Sequence, residues 1–290
     1  MHIPVLKKEV IQYLDPKPNE NFIDATIGNG GHSLAILEKT APKGKVLGID
    51  WSQEMIDSVN KNPNLIPVCA NFADLSEIVR KNRISNIRGI LFDLGMSSWH
   101  LASSGRGFSL QKKEPLDMRY SLANQLTAEK IVNYFSKFEI EKILREYGEE
   151  EFSKEIAEKI VEKRKSKPIE NTLQLVEAVK EAVPRAYLRR RIHPATRTFQ
   201  ALRIAVNGEL DNIEKVLPQA LSLLETGGRL VVISFHSLED RIVKNFFKNR
   251  ASEGSEGLKI LTKKPIIPTN QEIKINPKSR SAKLRVAVKI

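Results

Sequence analysis

The sequence predicts an α/β fold in which a parallel, doubly wound sheet is interrupted by an inserted helical unit. Short apolar runs alternate with helical patterns as far as Asp93, as is typical of such a sheet. The alternation then stops, and the chain is almost purely helical in pattern from Thr127 to about Val183. A strand-like run, Arg229–Phe235, returns only after this stretch. The helical unit therefore lies within the chain of the α/β domain.

The elements before the interruption follow in a regular order. An amphipathic segment, Val5–Leu14, ends before Pro16 and Pro18. The predicted strands are Phe22–Ala25, Val46–Ile49, Leu65–Ala70 and Ile90–Phe92, and the predicted helices between them are Ser33–Glu38, Gln53–Val59 and Leu75–Val79. Residues that follow these strands are expected at the carboxyl edge of the sheet, where such folds bind ligands.

The interruption begins with a Gly- and Ser-rich stretch, GMSSWHLASSGRGFSLQKKEPLDMRYS, which is too long for an ordinary connection. Within the helical region, Phe152, Ile156 and Ile160 recur at the spacing of one helix face. We therefore assign residues 1–104 and 201–290 to the sheet-containing core and residues 105–200 to an inserted helical domain. After the strand at Arg229 come a helix, a Ser/Gly-rich link (ASEGSEG) and a basic, strand-like tail (KLRVAVKI).

The composition indicates a basic protein without disulfides. Lys and Arg number 47 against 35 Asp and Glu, for a net charge of +12. This balance favours a polyanionic partner, nucleic acid before membrane, although a merely basic enzyme fits it equally well. The single cysteine, Cys69, excludes an internal disulfide and a cysteine-based zinc cluster. Because MHIPVLKKEV has no secretory pattern and no apolar run approaches the ~20 residues of a membrane helix, we expect a cytoplasmic protein.

A glycine-rich turn, FIDATIGNGGHS, follows the first predicted strand and suggests two kinds of ligand. Gly28, Gly30 and the more distant Asp50 fit a dinucleotide site, in which a carboxylate binds the ribose. However, Ser33 replaces the third glycine of that motif, and the charge of Asp24 would face an incoming pyrophosphate. A cationic ligand is therefore favoured.

S-adenosylmethionine is a cationic ligand of this kind, because it carries a sulfonium, an ammonium and a ribose but no phosphate. Gly28, Gly30 and Gly31 would allow its close approach to the backbone. Asp50 would accept hydrogen bonds from both ribose hydroxyls. Asn71-Phe72, after the third strand, could place an aromatic ring against adenine. A tight turn with no ligand is the alternative interpretation.

Asp93 ends the fourth predicted strand and is the candidate for chemistry at this edge. A carboxylate that accepts a proton of an exocyclic amine would localise the nitrogen lone pair and stabilise the positive charge of methyl transfer. An Asp that only caps the following turn is the alternative. In ISFHSLEDR, Ser237 and Asp240 predict a capping box that leaves His236 exposed at a strand end. His236 and Asp24 are second-tier candidates, and a structural role for His236 is the alternative.

Two basic segments are candidates for phosphate contacts. The first, RAYLRRRIHPATRTFQALR, carries Arg185, Arg189, Arg190, Arg191, Arg197 and Arg203, and the second, NPKSRSAKLRVAVKI, carries Lys278, Arg280, Lys283 and Arg285. A solvated face is the alternative for Arg189–Arg191. We expect Pro194 in the first turn of a helix. The stripe that this helix presents is predicted to be packed or to face a ligand, and it consists of Thr196, Gln200, Arg203 and Asn207.

Ten motifs in order along nearly the whole chain carry a family resemblance. They are HIPVL, DATIGNGGHS, GID, DLGMSS, RGFS, PLDMR, YGEE, HPATRTFQALRI, GGRLVVISFHSLEDRIVK and NPKSRSAKLR. Together they resemble the methyltransferase H family of bacterial small-subunit ribosomal RNA, also called MraW. The resemblance implies a class I (Rossmann-like) S-adenosylmethionine-dependent methyltransferase core, with an all-helical substrate domain inserted after the fourth strand. It also implies methylation of N4 of a cytidine in the decoding region of 16S rRNA.

The resemblance further implies partners and site residues. The partner would be 16S rRNA or the small ribosomal subunit, with no membrane and no DNA expected. We assign no metal ligands, and the sequence leaves open whether RNA binding requires a metal. The family's cofactor contacts fall on Gly30, Gly31, His32, Asp50, Phe72 and Asp93. His100, in SSWHL, stands where the family usually has the glutamine of SSPQL, and it can still make one hydrogen bond. Asp93 is our candidate for orienting the amine. The rival functions are a nicotinamide dehydrogenase and a non-catalytic RNA-binding assembly factor.

Overall fold

The computed structural model describes residues 3–252 and 257–290, which form two compact units. The first unit comprises Met1–Gly95 and Leu210–Ile290, and the second comprises Met96–Glu209. Both borders expected from the sequence, 104/105 and 200/201, lie within the second unit. Met96 and Leu101 pack against the core of that unit, and Ala201, Leu202 and Val206 belong to it. Residues 253–256 of the ASEGSEG link lie outside the described residues.

A seven-stranded sheet forms the centre of the first unit. Its strands are β1 Asn21–Asp24, β2 Val46–Asp50, β3 Leu65–Cys69, β4 Ile87–Asp93, β5 Leu224–Ser234, β6 Leu258–Ile260 and β7 Lys283–Lys289. The spatial order is β3-β2-β1-β4-β5-β7-β6. Neighbours from β3 to β5 pair in parallel, whereas β7, the predicted tail strand, pairs antiparallel with both β5 and β6. The α/β class is confirmed, and the sheet is mixed at one edge.

Helices account for most of the remaining regular structure. In chain order they are α1 Lys7–Leu14, α2 Gly31–Thr40, α3 Gln53–Ser58, α4 Leu75–Asn82, α5 Ser98–Ala102, α6 Ala128–Tyr134, α7 Lys137–Gly148, α8 Ser153–Ser166, α9 Thr172–Ala182, α10 Arg185–Leu188, α11 Thr196–Asn207, α12 Glu209–Leu223, α13 Ser237–Ala251 and α14 Asn270–Ile275. Within the described ranges, no helix combines the length and apolar character needed to cross a bilayer.

The sheet of the first unit is buried on both faces, as expected for parallel strands. Because successive strand residues point to opposite faces, Phe22 and Ile23 of β1 join different apolar clusters. Ile23 packs in a cluster that includes Val216 of α12, and Phe22 packs in a cluster that includes Val10 of α1. Polar side chains that could take part in chemistry are therefore expected at the ends of the strands.

The second unit has an apolar core of its own, built from the helices. The expected face of α8 is confirmed for Ile156 and Ile160, which are fully buried, while Phe152 is half-buried at the edge of the core. Capping boxes begin α7 and α9, where Ser136 and Asn171 exchange hydrogen bonds with the residue three positions on.

Two helix starts differ from the sequence prediction. The residue that caps α13 is His236 rather than Ser237: its side chain accepts from the Glu239 N–H, and the Glu239 side chain accepts from the His236 N–H. The histidine ring nitrogen thus takes the place of the expected serine hydroxyl. Pro194 does not enter the first turn of α11, because Ala195 caps that helix and its N–H donates to the ring of His193.

Arg285, expected to contact phosphate, is instead part of the fold. The residue is 8 % exposed and lies on β7. Its Nε and Nη2 donate to the two carboxylate oxygens of Asp240 on α13, at 2.6 and 3.2 Å. Lys283 lies 3.5 Å from the same carboxylate. The phosphate assignment is therefore wrong for Arg285, whereas Arg280 is exposed.

Replacing Arg285 by Ala should lower the free energy of unfolding by about 3 kcal/mol, because Asp240 loses its bidentate partner in a largely buried position. The matched control is Arg280→Ala in the same tail, which should change stability by less than about 0.5 kcal/mol because that side chain is exposed. Urea denaturation followed by circular dichroism measures both. Equal effects of the two substitutions would contradict a structural role for Arg285.

Candidate functional site

Two glycines determine the turn between β1 and α2. Gly28 has φ 50° and Gly30 has φ 79°, both in the left-handed region that glycine adopts at no steric cost. The Gly30 N–H donates to the carbonyl of Ile27 at 2.8 Å, and Gly30 is the N-cap of α2. The turn therefore brings the N-terminus of α2, with its unpaired backbone donors, to the carboxyl edge of the sheet.

Gly31 has a different reason to be glycine. A Cβ atom at this position would lie 2.4 Å from Cγ of Pro4, so the N-terminal segment occupies the space beside it. That segment is held in place because the Leu6 N–H donates to Glu272 Oε1 at 2.7 Å. The close approach at Gly31 thus comes from the chain itself, and its role as a cofactor contact stays a prediction.

Asp24 is buried beneath the glycine turn and does not lie on its solvent-accessible side. The residue is 1 % exposed, and its Oδ2 accepts from the Ser33 hydroxyl at 2.7 Å. Its Oδ1 accepts from the Thr26 N–H at 3.3 Å. Burial raises the pKa of this carboxyl above its usual range. The expectation that its charge faces an incoming ligand is wrong, since the group is enclosed and engaged.

Asp50 lies at the end of β2, beside the same turn. Its Oδ2 accepts from the Gly28 N–H at 3.2 Å and its Oδ1 from the Ser52 N–H at 2.9 Å. Burial raises the pKa of Asp50 to about 6, against the opposing effect of these two hydrogen bonds. The carboxylate is thus held in one orientation, and each oxygen retains a lone pair for a further donor.

Phe72 belongs to a short 3-10 helix, Phe72–Asp74, that follows β3. Asn71 caps this turn, with its side-chain oxygen accepting from the Ala73 N–H at 2.9 Å. The half-buried ring of Phe72 meets Phe92 edge-on, with centroids 5.7 Å apart and planes at 83°. Phe92 therefore fixes the ring, which keeps part of its surface accessible.

Asp93 ends β4 next to β1, so it lies beside the glycine turn. Its N–H donates to the Thr26 hydroxyl at 2.6 Å, and its Oδ1 accepts from the Gly95 N–H at 3.3 Å. Nε2 of His32 lies 3.6 Å from its Oδ2. The side chains of His32 and Asp93 are 7 % and 17 % exposed. Asp93 is thus a reachable carboxylate in largely dehydrated surroundings.

His236 has a structural role as the N-cap of α13. Its Nδ1 accepts from the Glu239 N–H at 3.4 Å, and its Nε2 lies 3.0 Å from Glu239 Oε1 without hydrogen-bond alignment. Glu239 is itself almost fully buried. Since both ring nitrogens face Glu239, the structural interpretation of His236 is favoured over a catalytic one.

His100 lies in the second unit, whereas the other expected cofactor contacts come together in the first. It is buried on α5 with Nδ1 2.9 Å from the Ser97 hydroxyl. Its ring lies edge-on to Trp99, Phe108 and Tyr120 at centroid distances of 4.9 to 5.2 Å. An aromatic cluster therefore surrounds His100, and its contact with the cofactor stays a prediction.

Sequence reasoning missed Thr26 and Ser33 as parts of the site. Thr26 contacts both Asp24 and Asp93, and Ser33 contacts Asp24. The one available signal was a pair of hydroxyl residues flanking a glycine turn that follows a carboxylate, a pattern that also occurs in turns without ligands.

Sequence comparisons with known proteins agree on one family. The profile of the MraW methylase family matches residues 1–290. The chain is 47% identical to a "Ribosomal RNA small subunit methyltransferase H" of Thermosipho melanesiensis, over 100% of this chain and 98% of that protein. It is 46% identical to a protein of the same name from Heliobacterium mobile, over 100% and 99%. A solved rRNA methylase from Streptococcus thermophilus is 11% identical with a TM-score of 0.45, over 100% and 99%.

The cofactor is S-adenosylmethionine, and the residues at the carboxyl edge of the first unit fit it. The Asp50 carboxylate has free lone pairs for ribose hydroxyls, and the Phe72 ring has free surface for adenine. His32 is buried there with no hydrogen-bond partner for either ring nitrogen among the described residues. Which of these residues touch the cofactor stays a prediction.

Cofactor binding should weaken as the pH falls below about 6. The raised pKa of Asp50 means that half of the carboxylate, the stronger acceptor for ribose, is protonated near pH 6, and that the ionised fraction falls further as the pH is lowered. Affinity for S-adenosylhomocysteine, measured calorimetrically, should then fall by up to about tenfold for each further pH unit.

The control is Asp50→Asn, which should bind weakly and without this pH dependence. The comparison is necessary because the buried Asp24 also has a raised pKa. If the Asn variant kept the pH dependence of the wild type, Asp50 would not be its source.

Proposed function

Because the chain belongs to the MraW methylase family, we propose that it methylates N4 of a cytidine in the decoding region of 16S rRNA. Relatives covering the whole chain are named for methylation of small-subunit ribosomal RNA. We choose an amine as the methyl acceptor because of Asp93, a carboxylate that is fixed at the carboxyl end of β4 beside the glycine turn. The second unit, Met96–Glu209, is proposed to recognise the RNA.

Asp93 can make an exocyclic amine nucleophilic. Bound S-adenosylmethionine supplies an electrophilic methyl group, while the lone pair of a cytosine amine is delocalised into its ring. An amine proton donated to the Asp93 carboxylate localises that lone pair and offsets the positive charge that develops on nitrogen. Thr26 and Gly95 fix the residue at its backbone and at Oδ1, so the carboxylate need not reorganise during the reaction.

The arginines of the basic segment Arg185–Arg203 divide into engaged and available groups. Arg190 pairs with Glu151, Arg197 donates to the carbonyl of Glu149, and Arg203 pairs with Glu209. Three others are exposed and have no carboxylate partner among the described residues: Arg185, Arg189 and Arg191. We propose these three as phosphate contacts, since they require no broken ion pair before RNA can bind.

The polar stripe on α11 is packed. Gln200 donates to the carbonyl of Tyr147 at 3.1 Å, and Asn207 donates to that of Met118 at 2.8 Å. Arg203 forms two hydrogen bonds with Glu209. Of the two interpretations that the sequence allowed, the packed surface is therefore the one supported.

Replacing Asp93 by Ala should reduce methyl transfer by at least about 100-fold without unfolding the protein, because the amine loses its acceptor. The assay combines labelled S-adenosylmethionine with small ribosomal subunits that lack their native cytidine methylation, followed by digestion to nucleosides. The wild type should place label in N4-methylcytidine.

Three outcomes would contradict this proposal in different ways. Full activity of Asp93→Ala would remove the assigned role. Label in another nucleoside would keep the methyltransferase and discard the target. No label, with cofactor binding measured separately, would favour a non-catalytic RNA-binding factor.

Substituting Arg189 or Arg191 by Ala should weaken RNA binding at low salt and lower the salt-dependence slope by about one per arginine. The matched control is Lys259→Ala, an exposed lysine on the edge strand β6. Filter binding over a range of salt concentrations measures all three variants. Unchanged slopes for both arginine variants would assign these residues to a solvated face.

A further inference from the structure

We propose that His32 and Asp93 form a proton-accepting pair that takes up the proton lost by the methylated amine. This inference rests on the proposed amine methylation and adds a role for His32 beyond cofactor contact. It concerns a step that any amine methylation requires: the nitrogen must lose a proton once its new bond to carbon has formed.

The burial of His32 without partners is the first observation. Its side chain is 7 % exposed, and neither Nδ1 nor Nε2 has a hydrogen-bond partner among the described residues. Buried polar groups are nearly always paired, so an orphaned imidazole beside a binding site points to a partner that arrives later.

The distance to Asp93 shows that what arrives later can be a proton shared with this carboxylate. Nε2 of His32 lies 3.6 Å from Asp93 Oδ2, beyond hydrogen-bonding distance but within the range of an ion pair. If Nε2 carries no proton, the ring nitrogen and the carboxylate oxygen are two acceptors that face each other with no proton between them. One added proton turns this contact into a charge-assisted hydrogen bond, which shortens it.

Three electrostatic influences act on the ring of His32. His32 is in the first turn of α2, where the helix dipole disfavours a cation. Two carboxyl groups act in the opposite direction: Asp93, and Asp24, whose pKa is raised by burial and lowered in part by His32. Ser33 and Thr26 hold Asp24 in place by hydrogen bonds.

The step balances in atoms and charge. The amine nitrogen forms a bond to the methyl carbon with its lone pair, and the sulfur keeps the electron pair of the carbon–sulfur bond that breaks. The nitrogen–hydrogen bond then breaks, its electrons return to nitrogen, and the proton passes through Asp93 Oδ2 to Nε2 of His32. The positive charge thus moves from sulfonium to imidazolium, while Asp93 ends as a carboxylate. The imidazolium releases its proton to water after product leaves.

Chemical rescue of a His32→Ala variant tests the proposal. The single-turnover rate at saturating cofactor should fall by about 100-fold, within the range that a positioned acid–base group contributes. Added imidazole should raise the rate by about tenfold, a part of that loss. Pyrazole, a ring of the same size but much lower basicity, is the matched control and should have no effect. Equal rescue by both rings would assign His32 a space-filling role and overturn the proposal.

A second variant covers the case in which His32→Ala folds poorly. His32→Gln keeps a polar side chain of similar reach that cannot take up a proton, and its rate should be reduced as strongly. Calorimetry with S-adenosylhomocysteine separates weaker cofactor binding from a slower step. A rate near that of the wild type in His32→Gln would overturn the proposal.

A readout independent of activity is the tautomer of His32. Nitrogen-15 spectra of the ring should show a protonated Nδ1 and a bare Nε2, assigned by comparison with His32→Gln among the five histidines of the chain. A neutral ring with its proton on Nε2 would make His32 a donor to Asp93, and the proton-accepting role would be excluded.

Nucleoside analysis of the wild-type product keeps this test separate from that of the proposed function. Label on a base carbon or a ribose hydroxyl would overturn the amine target, whatever the His32 variants do. Label in N4-methylcytidine, with equal rescue by imidazole and pyrazole, would leave the function intact and overturn only the role of His32.

Discussion

The buried carboxylate of Asp24 is the constraint on which the candidate site depends. A carboxyl group enclosed by protein must be paired, and Asp24 is paired by Ser33 from α2 and by Thr26 from the turn. The Thr26 hydroxyl in turn accepts the N–H of Asp93. One hydrogen-bonded chain thus links β1, the glycine turn, α2 and β4. Its geometry is set before any ligand binds, which is the condition for effective electrostatic stabilisation of a transition state.

Ion pairs within the fold also distinguish the arginines that stabilise the structure from those that are available to bind a partner. Arg285 and Arg203 each form two hydrogen bonds to a carboxylate, so binding a phosphate would first require breaking these contacts. Arg189 and Arg191 have no such carboxylate among the described residues and are exposed. A basic composition therefore supports a nucleic-acid partner only through those residues that the fold does not itself use.

The sequence predicts well those features that depend on local pattern and less well those that depend on distant partners. The expected run Val46–Ile49 agrees with β2 to within one residue. The agreement is close because a fully buried strand is a continuous run of apolar residues in the sequence. By contrast, Arg285 was misjudged because its partner, Asp240, lies 45 residues away in the sequence and cannot be identified from composition or periodicity. The site residues Asp50, Phe72 and Asp93 were placed correctly at strand ends, whereas the burial of Asp24 required the structure.

We propose that the methyl donor is held at the carboxyl edge of the first unit, with its reactive end toward Asp93. A crystal structure of the protein with S-adenosylhomocysteine tests this arrangement most directly. We expect ribose hydroxyls within hydrogen-bonding distance of Asp50, adenine against Phe72, and the sulfur facing Asp93. A ligand whose sulfur points away from Asp93, or one bound away from the glycine turn, would contradict it.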